Sequence, residues 1–368
     1  MRNLFRVFAG ALLGAALAGS AVAQPATYVL QNFHNVIDNG DFSFSQRGAG
    51  PVANITTVPL YLHDRWAVVS GAATTATYSN ANTGLPLPFT GAAQVQRNAA
   101  QTGVVKVCLA QEIPTNTFAS LAGQAVTLSF WAKTGPNFSA AGNILTGQVT
   151  TGTVADEGLV KWVAGFTGAV ANIPAGIGNA VINANFARYQ MVANIPANAL
   201  EGVVSLCFTP VGTAAGADYF QATGIQLEHG NVATPFEWQA PSAVVTRLQR
   251  YFFSIAESTT AATVRAQCVA TTTSASNCRI VFPVVMRAVP TMSYTPGFLS
   301  SSTVASTAGF ACAGLANADS VVAFSAATDG ALLKCTSAAL GPPAGTAGWL
   351  WDAGTGAAAG RINASADF

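Results

Sequence analysis

The chain has 368 residues, of which 8% are charged and 51% hydrophobic, and its formal net charge is +1. Soluble domains usually carry about 25% charged residues, so most of this surface must be Ser, Thr, Asn, Gln and Ala, with little repulsion to keep copies apart. The balance excludes a basic face for nucleic acid.

Residues 1–23 read as an export signal. Arg2 and Arg6 form the positive start, Val7 to Gly19 is apolar and small, and Ala21-Val22-Ala23 supplies the cleavage pattern. The apolar run is shorter than the roughly 20 residues of a membrane span, and none of that length follows. A secreted or surface-exposed protein without a membrane span is expected. Losing the two arginines takes the formal charge from +1 to −1. Residues 24–34 form an arm in which Tyr28-Val29-Leu30 reads as a strand. It is either a loose leader or a strand donated to a neighbour's sheet edge, which would build a homo-oligomer or filament.

Strand signals dominate the rest. In Val126 to Lys133 the even positions are apolar, leaving Thr127, Ser129, Trp131 and Lys133 on a second, wetter face. Residues 134–185 read as long loops or weakly patterned strands. Val203 to Phe208 is apolar on both faces, as in a sandwich interior. Ser242 is placed to cap a short helix over Ala243 to Tyr251, with Val244, Val245 and Leu248 on one side. At the end, Ile362, Ala364 and Ala366 alternate with Arg361, Asn363, Ser365 and Asp367, predicting a last strand with one wet face. Dense turn punctuation, such as Asn39-Gly40 and Gly341-Pro342-Pro343, completes an all-β pattern.

Six cysteines in an exported chain point to disulfides. Six cysteines allow 15 connectivities; the favoured pairs are Cys108–Cys207 within the first domain, Cys268–Cys278 across a hairpin, and Cys312–Cys335, with free buried thiols as the alternative. No C-x-x-C spacing suggests zinc or redox chemistry.

Five phrases in fixed order add a family likeness: NVIDNGDFSFSQRG (35–48), LHDRW (62–66), VTLSFWAK (126–133), QLEHGNVATPFEW (226–238) and LQRYF (248–252). Together they resemble the carbohydrate-binding-like jelly roll of phage and prophage tail-fibre proteins, over about residues 35–253. The run Phe282 to Thr291 resembles the F-P-x-x-M-R-x-x-P-T phrase that often follows it. The likeness implies a jelly-roll β-sandwich over 35–240, a linker helix over 241–253 and a second, smaller β-sandwich over 254–368. Asp64-Arg65-Trp66 and Arg47 then read as structural, with Trp66 in the core and the ions paired nearby. An export signal departs from a cytoplasmically assembled tail fibre and favours an envelope or extracellular protein using the same module.

The likeness implies a non-catalytic adhesion protein that binds a cell-surface or extracellular glycan. Sugar recognition needs an aromatic ring flanked by amides and hydroxyls, which selects Trp131, Lys133, Trp162, Tyr189 and Tyr219. Related sandwiches hold a structural calcium, for which Asn39, Asp41, Asp218 and Glu228 are the candidates; turn capping is the plainer role of Asn39 and Asp41. Two other readings stay open: a structural subunit of a filament, surface layer or tail fibre, and a secreted glycan hydrolase. The histidines His34, His63 and His229 show no metal or triad spacing. A hydrolase would need two carboxylates meeting from afar, such as Asp64 and Glu112.

Overall fold

The computed structural model describes residues 35–256, 264–295, 298–301, 310–312, 324–336, 344–352 and 361–367. The expected signal segment, the N-terminal arm and the Gly341-Pro342-Pro343 turn lie outside these residues.

The first thirteen strands are β1 (Val52–Ile55), β2 (Leu60–Tyr61), β3 (Ala67–Ser70), β4 (Ala76–Ala81), β5 (Ala92–Arg97), β6 (Val107–Ile113), β7 (Ala125–Thr134), β8 (Ile144–Gly152), β9 (Val170–Ala171), β10 (Asn179–Val181), β11 (Ala187–Asn194), β12 (Glu201–Phe208) and β13 (Tyr219–His229). They form two antiparallel sheets, one in the order β1-β4-β5-β13-β7-β11, the other β10-β8-β12-β6-β3-β2 with β9 beside β8. Their inner faces share one core around Trp66, Tyr78, Phe118, Phe130, Phe208 and Phe220. Such consecutive antiparallel crossing between two sheets is a jelly-roll sandwich.

Local sequence explains the sharpest features. Gly40 lets the first turn lie against β13: its carbonyl accepts from Ile225 N at 2.9 Å, and a Cβ there would sit 2.0 Å from the Ile225 carbonyl oxygen. Gly224 takes φ 59° at the irregularity between Thr223 and Gln226, where β13 shifts register against β7. Val126, Leu128, Phe130 and Ala132 enter the core as their alternation requires. Their sequence neighbours are less open than the pattern suggests. Thr127 and Ser129 are fully buried: Thr127 Oγ1 donates to Gly230 O at 2.7 Å, and Ser129 Oγ accepts from Arg188, which also donates to Thr234 O.

Residues 134–185 hold more order than their composition shows. They contain β8, β9, β10 and a helix, Gly158–Ala164. The buried face of β8 is Leu145, Gly147, Val149 and Thr151, where the small and polar members hide the period.

That helix is the second of three. The first is the single turn α1 (Thr115–Phe118), then α2 (Gly158–Ala164) and α3 (Pro241–Gln249). In α3 the N-cap is Ala240 and Pro241 opens the helix, so Ser242 is not the cap; its carbonyl accepts from Thr246 Oγ1. Val244 and Leu248 are the buried side.

After α3 the chain builds two further sheets from β14 (Phe252–Ala256), β15 (Val264–Thr272), β16 (Ala275–Val281), β17 (Thr291–Thr295), β18 (Phe298–Ser301), β19 (Phe310–Cys312), β20 (Phe324–Ala326), β21 (Gly330–Thr336), β22 (Ala347–Asp352) and β23 (Arg361–Ser365). Their orders are β14-β23-β17 and β19-β18-β22-β15-β16-β21-β20. Phe282, Met286, Leu333, Leu350, Ile362 and Ala364 belong to the shared core. The chain is thus all-β, a jelly roll followed by a smaller sandwich with a short helix between.

Cys108–Cys207 and Cys268–Cys278 are disulfides, two of the three expected pairs. Cys335 is also disulfide-bonded, while the side chain of its expected partner Cys312 lies outside the described residues. Among the described residues no cysteine is free, and no helix is long and apolar enough to cross a membrane.

Candidate functional site

The polar motif residues converge on a junction between the two sandwiches. Trp66 is fully buried, its Nε1 donating to Asn39 O at 3.0 Å. Arg65 and Asp64 are not partners of each other. Arg65, itself buried, lies 3.7 Å from an Asp38 oxygen and 3.8 Å from Asp367, stacks 3.7 Å over Tyr251, and donates to Glu112 O at 2.6 Å. Asp64 accepts from the backbone and amide nitrogens of Gln46, and burial raises its carboxyl to about 6. Arg47 stacks 3.7 Å over Phe252 and pairs with Asp367. The second face of β23 is half-buried: Arg361 donates to Gln46 O, and Asp367, just past the strand, pairs with Arg47 of the first sandwich.

Glu112 faces the same junction. Among the described residues neither of its carboxylate oxygens has a hydrogen-bond partner. Burial pushes its carboxyl up to about 8, with Arg65 opposing and Glu201 reinforcing the shift. Arg287, from the Phe282–Thr291 phrase, lies 3.8 Å from Asp156 on the first sandwich. Asp64 and Glu112 are thus sealed parts of a scaffold.

An open site lies on the outer face of the β10-β8-β12-β6-β3-β2 sheet. Register builds its floor in rows. Val69, Cys108, Cys207 and Thr146 lie side by side, and Ala67, Ala110, Ser205 and Gln148 form the next row. Helix α2 covers one end of this face, its Leu159 packing with Phe166 on Ala67, Ala110 and Val203. Trp162, on the same helix, packs against Val69 and the Cys108–Cys207 disulfide. What remains is a groove of about 390 Å³, within the size range of small-ligand sites.

The groove is held in place by its surroundings. Glu157 precedes α2 and accepts from Thr167 N and Oγ1, closing the loop after the helix. Gln148 is clamped by the backbone of Ile173, which both accepts from and donates to its amide. Lys106, Thr150 and Ser205 add an ammonium and two hydroxyls to the lining, which includes no Asp or Glu. The arrangement offers an aromatic wall, an apolar floor and hydroxyls at fixed spacing, without an acid–base pair.

Of the five aromatic and cationic candidates, only Trp162 belongs to this groove. Trp131 and Lys133 sit on β7 in the other sheet. Trp131 is half-buried beside Gly224, and the Lys133 ammonium lies 4.9 Å over Phe186. Tyr189 packs against the core with its ring tilted 32° to that of Phe130, its hydroxyl donating to Val181 O. Tyr219 lies against Gly135. The groove's other members, Val69, Thr150 and Ser205, carry no local signal; only strand pairing assembles them.

The calcium candidates each engage protein partners. Asp218 accepts from Ser139 N and Oγ and lies 3.4 Å from Arg97. Glu228 accepts from Gln226 and Thr234. The Asn39 amide bridges Phe44 and Asp64 backbone oxygens, and Asp41 accepts from Ser43. Among the described residues no three His, Cys, Asp or Glu side chains converge to hold a metal, and calcium needs six to eight oxygens.

No family model matches the chain, and no curated protein matches it in sequence. Solved structures with a similar arrangement include the enzymatically active domain of tailspike protein 4 from bacteriophage CBA120, at 12% identity and TM-score 0.32, over 53% of this chain and 21% of that one. A CBM4 structure is similar at 14% identity and TM-score 0.31, covering 53% of this chain and 99% of its own. The CBM22-1 xylan-binding domain from Paenibacillus barcinonensis follows at 9% identity and TM-score 0.28, over 50% of this chain and 98% of that domain. This chain thus spans about a fifth of the tailspike chain, and likenesses at this level assign no residue a role.

Proposed function

We propose that this protein is an exported, non-catalytic recognition protein whose groove beside α2 binds a glycan. The carrying observation is the lining itself: Trp162 stands over an apolar floor of Val69 and a disulfide, ringed by Ser205, Thr146 and Thr150. A sugar presents a C–H face for an aromatic ring and hydroxyls for polar neighbours. The absence of Asp and Glu from the lining supports binding without hydrolysis, since glycosidases generally need two opposed carboxylates. The disulfides fit an oxidising compartment.

A glycan array on the purified protein, with Trp162→Ala and Trp131→Ala alongside, tests this reading. Trp162→Ala should weaken the strongest glycan signal about tenfold or more, and Trp131→Ala should leave it within about twofold. An unchanged signal in Trp162→Ala removes the groove from the reading. Release of new reducing ends from the bound glycan removes the non-catalytic part.

A further inference from the structure

We propose that the second sandwich carries a separate flat platform for an acidic, uronate-bearing polysaccharide. The platform is the outer face of four adjacent strands, β22, β15, β16 and β21. Register places Trp349 beside Gln267, Gln267 beside Arg279, and Arg279 beside Leu332, one row across the sheet. In the next row Asn277 pairs with Lys334. Alternation sends Cys268, Cys278, Ile280 and Leu333 inward to the core and leaves Gln267, Arg279 and Lys334 exposed. Trp349 and Leu332 are each 38% exposed, although the inner face of the same strands is closed.

Charge selects the occupant. Residues 264–272, 275–281 and 330–336 contain no Asp or Glu. On β22 the only acid is Asp352, the last residue of the strand, opposite Phe298. Neither Arg279 nor Lys334 joins an ion pair among the described residues. The two cations are diagonal neighbours on adjacent strands, since Arg279 pairs with Leu332 and Asn277 with Lys334. In a chain with 8% charged residues, two unpaired cations on one face, with Trp349 in the same row, form a local exception.

With strands about 4.8 Å apart, the row spans about 14 Å, enough for an oligosaccharide lying flat. The ring would stack on Trp349, the amides of Gln267 and Asn277 would meet hydroxyls, and the Arg279 fork would take a carboxylate in two parallel hydrogen bonds. A polymer with regularly spaced carboxylates fits this face better than a neutral one. This platform is independent of the Trp162 groove, which lies on the other sandwich.

Affinity electrophoresis in polygalacturonate gels at low salt, with neutral dextran and single-stranded DNA as parallel arms, tests the inference. The parent should bind polygalacturonate, less so as salt rises, and should bind dextran and DNA at least tenfold more weakly. Arg279→Gln with Lys334→Gln should reduce polygalacturonate binding about five- to tenfold, Trp349→Ala should weaken it about threefold or more, and Trp162→Ala should leave it unchanged. Melting curves matching the parent's establish that the surface variants are folded. Three results overturn the platform: no polygalacturonate binding by the parent, equal binding of DNA or dextran, or parental affinity in a folded double variant. Loss of binding in Trp162→Ala alone would transfer the acidic ligand to the groove and likewise overturn it.

Discussion

The groove beside α2 and the junction around Arg65 both place polar side chains at the edge of the first sandwich, yet they differ in kind. The groove is open and lined by hydroxyls, an amide, one ammonium and Trp162. The junction is closed and ionic, with Arg65, Asp367 and Glu112 withdrawn from water. Asp64, Arg65 and Arg47, among the motif residues that stand out in the sequence, serve the junction. Apart from Trp162 and the Cys108–Cys207 pair, the groove is lined by residues that draw no notice individually. Buried ions fix how two sandwiches meet, because an unpaired charge there is costly; an open site needs only shape and a few oriented dipoles.

Mutations should separate the two regions by their readouts. Arg65→Ala has the largest expected effect on stability, since it removes a fully buried cation that lies between Asp38 and Asp367, stacks on Tyr251 and donates to Glu112 O, although Arg247 and Arg47 still pair the two carboxylates. A loss of about 3–5 kcal/mol in urea unfolding is expected. A loss under about 1 kcal/mol would show the junction to be loosely packed. Replacing Cys108 and Cys207 together with Ala should cost about 2–5 kcal/mol. Unlike Arg65→Ala, it should also weaken glycan binding, because the disulfide is the groove floor.

The pH dependence singles out Glu112. Its carboxyl is raised in the fold to about 8 from an ordinary value of 4.5. The folded protein therefore keeps a proton that the unfolded chain loses first. The resulting stability is complete below about pH 4.5 and is lost as pH rises through about 8. Glu112→Gln should flatten this decline and leave the variant more stable than the parent at pH 8.5 by on the order of 2 kcal/mol. Urea midpoints at pH 5 and pH 8.5 check it; parallel curves for both proteins would show that Glu112 is ionised in the fold. The smallest stability change belongs to Trp162→Ala, about 1 kcal/mol or less for a half-buried ring at a groove wall. Its effect should fall on binding instead.

Local pattern revealed what depends on local pattern. The β7 alternation put Val126, Leu128, Phe130 and Ala132 into the core, and the buried run of β12 was equally plain. Thr127 and Ser129 look open by local pattern because their cover is distant: Gly230, about 100 positions away, for Thr127, and Arg188 for Ser129. β8 escaped notice because Gly147 and Thr151 occupy inward positions where larger apolar side chains would have marked the period. Trp162 was recognisable as an aromatic candidate, but nothing near it in the chain named Val69 or Ser205 as neighbours.

The amino-acid order alone determined an all-β chain with cysteines enough for disulfides, since alternation and cysteine count can be read without the fold; it left 15 cysteine connectivities open. Tertiary structure decided which polar groups are sealed and which are open. Arg65 finds Asp367 across 302 residues, and Trp162 meets Cys207 only because β6, β12 and α2 pack together. Those contacts depend on sheet register and on one sandwich docking against the other, and a linear pattern carries neither.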